Sequence, residues 1–210
     1  MSQSAQLLHE PWPDRPRETE GYVFAMWIFL ATEVLFFGAL MAFYAVNRWA
    51  HPAAVKQAAA HSDFWFGTIN TAILLTSSLT IATADRALEH GLPRLARVAL
   101  WLTLAFGLAF LLTKGFEYRK DLEDHLWPGP NFALVAIGAR PFWGFYWIAT
   151  AVHAVHVTIG LGLIVRLIIL SHRRMLRPRQ ASMTVTTLYW HFVDVVWVVL
   201  YALLYLVGRA

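Results

Sequence analysis

Five ionisable side chains, Glu33, His153, His156, His191 and Asp194, stand inside stretches that are otherwise apolar, and Glu117 and Trp197 complete the set of side chains with chemical potential. Carboxylates and imidazoles together are the ligands that helical bundles use to hold metal ions. Such sites usually carry a Glu-x-x-His pair on each of two helices, and no apolar stretch here contains that pair. Nor does the chain have the dense histidine clusters of a membrane desaturase. A haem held between His156 and His191 is sterically conceivable if the two sit at similar depth on neighbouring helices. A third possibility is a structural network, with Glu33 meeting an imidazole and Asp194 meeting a hydroxyl, an imidazole or a basic group. A fourth is a polar lipid or proton-handling site, because ionisable residues inside a membrane mark such pathways.

The elements that position these groups are long and apolar. Tyr189-Trp-His-Phe-Val-Asp-Val-Val-Trp197 puts His191 and Asp194 three residues apart, on one helix face that continues through Val198, Tyr201 and Tyr205. An exposed charge in hydrocarbon costs about 2.5–3.5 kcal/mol on insertion scales, so this stripe should face protein. Apolar runs at about 22–46, 64–84, 95–116, 142–170 and 185–207 are each long enough to cross a bilayer core of about 30 Å. The predicted fold is therefore all-α, an integral membrane bundle of five transmembrane helices spanning 22–210. It follows a polar, proline-bearing arm over 1–21, which lacks the short apolar run of a signal peptide. Residues 47–63 read as an Ala-rich linker and 119–140 as the longest loop. Asn70, Ser77 and Ser78 share a face suited to close helix packing. His153, His156 and Gly160 share another. Glu117, at the end of its run, suits a solvated or a buried carboxylate equally, and Lys114 counts with the loop charges beside it.

Composition agrees with the bilayer reading. The 210 residues are 58% hydrophobic, beyond the usual globular range. Ten Trp and seven Tyr, many near run ends, suit interfacial belts. The absence of cysteine removes disulfide frameworks, zinc fingers and thiol nucleophiles. The net charge of +4 is small for nucleic-acid binding and points to anionic head groups. Five crossings put the termini on opposite sides. The side holding the arm, the turn at 85–94 and the loop at 171–184 carries the excess of Arg and Lys, which predicts a cytoplasmic N-terminus and a periplasmic C-terminus. Arg173, Arg174, Arg177 and Arg179 form a basic run free of acids. Guanidinium grips phosphate bidentately, so Arg173 and Arg174 are candidate phospholipid ligands.

Five motifs in order carry a resemblance. Ala31-Thr-Glu-Val-Leu-Phe-Phe37, Asn70-Thr-Ala-Ile-Leu-Leu-Thr-Ser-Ser78, Gly115-Phe-Glu-Tyr118, Val152-His-Ala-Val-His-Val-Thr-Ile-Gly160 and the Tyr189–Trp197 run resemble subunit III of the haem–copper respiratory oxidases. The likeness covers nearly the whole chain from about residue 22, and it fits the five-helix bacterial form that lacks the first two of seven helices. It implies a chain without haem or copper of its own, packed against catalytic subunit I, with subunit II in the same complex and haem and copper in those partners. It also implies phospholipid held in a cleft, support of proton uptake, protection of the catalytic centre from turnover-linked inactivation, and a place in the bacterial cytoplasmic membrane. In the family the intramembrane acid corresponds to Glu33, the helix-four histidines to His153 and His156, and the last motif supplies His191, Asp194 and Trp197. The Glu33 motif and the Tyr-Trp-His-Phe-Val-Asp run resemble cytochrome c oxidases more than quinol oxidases. A relative associated with nitric oxide reductase is the remaining branch, and a membrane-embedded His/carboxylate metal enzyme is the alternative of another class.

Overall fold

The computed structural model describes residues 15–176 and 180–209, and among them every regular element is helical. The order is α1 (Arg15–Ala50), α2 (Pro52–Ala59), α3 (Phe64–Glu89), α4 (Pro93–Glu123), α5 (Ala139–His172) and α6 (Ala181–Tyr201), with a π-helical continuation over Ala202–Leu206. Five stretches, Thr19–Ala50, Phe64–Glu89, Pro93–Glu123, Ala139–His172 and Ala181–Leu206, are long and apolar enough to cross a membrane. The chain is a multi-pass membrane bundle.

Local signals explain where the helices begin and end. Proline opens α2 and α4, where its missing N–H costs nothing. Asp63 caps α3, its side chain accepting from the Trp65 N–H at 3.1 Å. The ends of α3, α4 and α5 share one device. A residue with positive φ, Gly91, His125 or Arg174, closes the helix. Paired bonds such as Leu92 N–H to Ala87 O at 2.8 Å and Gly91 N–H to Leu88 O at 3.1 Å then satisfy the last carbonyls. Gly138, at φ 100°, opens α5, and a Cβ there would lie 2.7 Å from the His51 side chain.

The helices overrun the predicted apolar windows because a helix does not stop at the hydrocarbon boundary. Within the stretch expected to be an arm, α1 already begins at Arg15, and residues 1–14 lie outside the described residues. The expected linker contains α2, whose Val55, Ala58 and Ala59 are buried. The long loop shortens to 124–138, because α4 continues through a buried polar face. In the basic run, 177–179 lie outside the described residues, whereas Arg173 and Arg174 sit exposed in the turn closing α5.

In the bundle α3 pairs along its length with α4, α6 packs against α1, α3 and α5, and α5 also meets α1 and α4. Trp190 of α6 is the keystone. Fully buried, it donates to Ser77 Oγ of α3 at 2.9 Å. Its ring fills the space that Gly107 of α4 and Gly160 of α5 leave open, where added Cβ atoms would lie 2.9 and 2.8 Å from it.

Candidate functional site

The ionisable side chains singled out by the sequence, with the residues they meet, fall into four groups, each at a helix interface. The largest was not legible as a set. Lys114, Glu117 and Asp121 recur at i, i+3 and i+7, hence on one face of α4, and all three are buried. Lys114 Nζ lies 3.0 Å from Glu117 Oε2 and donates to the hydroxyls of Tyr146 (3.0 Å) and Tyr205 (2.8 Å). Tyr205 donates to Glu117 Oε1 at 2.6 Å. The Tyr146 oxygen is 2.9 Å from Glu117 Oε1 and 2.5 Å from Asp121 Oδ2, and its single hydrogen serves one of them at a time. The ammonium also lies over the Tyr146 ring, 4.5 Å from its centroid. This corrects the placing of Lys114 among loop charges. It also resolves Glu117 as a buried carboxylate.

The second set is Glu33 with His156. Glu33 Oε2 of α1 lies 3.1 Å from His156 Nε2 of α5, both half-buried. His156 Nδ1 is 2.8 Å from the Val152 carbonyl, which can only accept, so Nδ1 carries a hydrogen. The Nε2 contact therefore holds one proton between imidazole and carboxyl. Tyr189 of α6 closes the site, donating to the His156 carbonyl at 3.1 Å with its ring stacked 6.5 Å from the imidazole.

His153 does not join that pair. It is fully buried between the rings of Phe110 (5.5 Å) and Trp197 (5.1 Å), and neither of its nitrogens meets a hydrogen-bond partner.

The fourth set lies between α3 and α6. His191 Nδ1 is 2.6 Å from Ser78 Oγ, and Trp197 Nε1 donates to Thr71 Oγ1 at 3.1 Å. Asp194 is buried, and neither oxygen has a hydrogen-bond partner of normal geometry, although Ser78 stands beside it. His156 and His191 engage different helices, α1 and α3, so they do not converge on one ligand position. Among the described residues no three His, Cys, Asp or Glu side chains are grouped so as to hold a metal ion.

Residues 15–209 match the family model described as cytochrome c oxidase subunit III. The chain belongs to the cytochrome c oxidase subunit III family. It is 31% identical over 191 residues to "Cytochrome c oxidase subunit 3" of Thermostichus vulcanus, covering 89% of this chain and 88% of that one. It is 30% identical to "Quinol oxidase subunit 3" of Bacillus spizizenii, covering 89% and 87%, and 30% identical to "Cytochrome c oxidase subunit 3" of Corynebacterium diphtheriae, covering 86% and 85%. This subunit III is thus a component of a haem–copper oxidase. Lys114, Asp121 and Tyr146 are interior residues that motif reading overlooked, the signal on α4 being the helical register of 114, 117 and 121, whereas Tyr205 stood already on the face of His191 and Asp194.

Proposed function

We propose that this chain is the non-redox third subunit of a proton-pumping cytochrome c oxidase in a bacterial cytoplasmic membrane. In this reading its N-terminus is cytoplasmic, it packs against subunit I with subunit II in the same complex, and haem and copper reside in those partners. It stabilises the catalytic subunit, holds phospholipid and sustains proton uptake. The observation that carries the reading is the family match over residues 15–209, and the contact of Glu33 with His156 at the α1–α5 interface supports the proton-uptake part, because ionisable pairs inside a membrane mark such pathways. The enclosed Lys114 set supports the scaffold part of the role, because it ties α4, α5 and α6 together. Arg173 and Arg174, exposed at the end of α5, are the proposed phosphate ligands for bound lipid.

Purifying the chain away from its partners and recording its visible spectrum and metal content tests the non-redox role. A colourless, metal-free chain is expected, and stoichiometric haem, copper or iron would favour the His/carboxylate metal enzyme. A second reading, a quinol oxidase, is favoured by the Bacillus relative of nearly equal identity. The reductant that drives oxygen uptake by the purified complex, reduced cytochrome c or quinol, separates the two.

A further inference from the structure

Hydrogens and charges can be counted around Lys114, where one ammonium and two carboxyl groups, those of Glu117 and Asp121, are buried together. Three oxygen–oxygen contacts of hydrogen-bonding length run through the cluster. Tyr205 reaches Glu117 Oε1 at 2.6 Å, Tyr146 reaches the same oxygen at 2.9 Å, and Tyr146 reaches Asp121 Oδ2 at 2.5 Å. Each contact needs a hydrogen between its oxygens, and the two tyrosines supply two. With both carboxyl groups ionised, one contact would set bare oxygens against each other. The charge count falls short by the same amount. Lys114 offsets one carboxylate, and a second buried charge with no counter-ion is costly. One added proton closes both counts.

The neighbours decide where that proton sits. Glu117 has the ammonium 3.0 Å from Oε2 and accepts from Tyr205, so it keeps its charge. Asp121, 3% exposed, has Tyr146 as its hydrogen-bond partner, and no cation of the described residues lies within ion-pair distance of it. The adjacent Lys120 is committed to Asp63 at 2.7 Å. Asp124, which caps the end of α4, adds a further negative charge nearby.

We propose that Asp121 is a proton-binding site, its carboxyl group holding one proton and donating it to the Tyr146 oxygen. The Tyr146 hydrogen is then free for Glu117, and Tyr146 accepts from both Lys114 and Asp121. Every contact in the cluster has its hydrogen. Asp121 stands two residues, about 3 Å, before the end of α4, on the side of the bundle opposite the start of α1. A proton leaving it passes to solvent on that side. Its loss leaves Asp121 charged and draws the Tyr146 hydrogen away from Glu117, so occupancy of the site sets how firmly α5 is tied to α4. The site is separate from the Glu33–His156 contact and does not rest on the function proposed above.

The test is infrared difference spectroscopy at neutral pH on the intact purified complex, in light and heavy water. The parent is compared with Asp121→Asn, whose carboxamide keeps a donor to Tyr146 and keeps the cluster neutral. A carboxylic-acid C=O band that shifts in heavy water is expected in the parent and absent from Asp121→Asn. In Tyr146→Phe, which removes the acceptor, the band is expected to persist at a changed frequency, and this variant decides the matter if Asp121→Asn does not assemble. A parent that loses only carboxylate bands on Asp121→Asn substitution overturns the proposal. So does an acid C=O region that neither substitution changes, or an acid band that appears only in Tyr146→Phe.

Discussion

Lys114 and Glu117 form the most consequential pair at the scale of single residues. A buried ion pair adds modest net stability, but removing one partner leaves the other charge uncompensated at a cost of about 3–5 kcal/mol. Lys114→Met should therefore lower the thermal unfolding midpoint in detergent strongly, and Lys114→Met with Glu117→Gln should recover most of the loss. A double variant as unstable as the sum of two single variants would show that the pair is not coupled. At Glu33 the chemistry is narrower. Glu33→Gln can still donate to His156 Nε2 and should unfold close to the parent, whereas Glu33→Leu leaves that nitrogen unpaired at about 1–3 kcal/mol. Equal midpoints for the Gln and Leu variants would remove the hydrogen bond from the account. These two sites differ in how far the sequence exposes them. A lone acid or imidazole deep in an apolar run has no innocent position, so Glu33 and His156 are conspicuous. Lys114 and Asp121 sit near the end of a run, where a solvated interfacial charge has the same appearance. Only the tyrosines brought by α5 and α6 distinguish the two cases.

At the scale of helices, the close approach of α4, α5 and α6 depends on glycines facing Trp190. Gly160→Ala puts a Cβ 2.8 Å from the Trp190 ring, and such overpacking costs about 1–3 kcal/mol. Trp190→Phe, placed in the Gly160→Ala background, should restore part of the midpoint, and no recovery would place the strain elsewhere. The start of α3 gives a pH dependence. Asp63 lies outside the membrane spans, and Lys120 Nζ is 2.7 Å from its Oδ2. Burial disfavours its charge, but the Lys120 hydrogen bond and charge and the N–H groups of Phe66 and Trp65 outweigh that and hold the carboxyl below its ordinary value. The sign follows directly. Its stabilisation is fully present above the unfolded carboxylate value and is lost as pH falls through the lower folded value. Because Lys120 is half exposed, the ion pair contributes only about 0.2–1 kcal/mol. Asp63→Asn should shift the unfolding midpoint slightly at neutral pH and not at all below the folded value, as read by scans across pH. Apolar runs made the five crossings legible from sequence. The helix ends were not, since α1 and α4 continue past hydrocarbon on polar residues, and Pro52-Ala-Ala-Val has too few residues to announce α2.

At the scale of the whole molecule, the family match and the bundle agree that the chain is one part of a haem–copper oxidase. The topology proposal makes the turn after α5 cytoplasmic, where each basic residue near anionic head groups gains about 1 kcal/mol. Replacing Arg173 and Arg174 with Gln should lower the phospholipid retained by the gently purified complex, and unchanged lipid content would leave them to topology alone. Bulk hydropathy made the membrane class legible, and the five motifs made the family legible. Which face meets a partner is not written in one chain's sequence, because hydrophobic surfaces toward lipid and toward protein are composed alike. The central claim is that this chain sustains the oxidase without performing its chemistry. The most direct measurement is oxygen uptake through prolonged turnover by the oxidase purified with this chain and from a deletion strain without it. The account predicts similar initial rates per haem, followed by a markedly faster decline in the complex lacking the chain. Superimposable time courses, or no oxygen uptake from the first moment despite intact haem and copper, would contradict it.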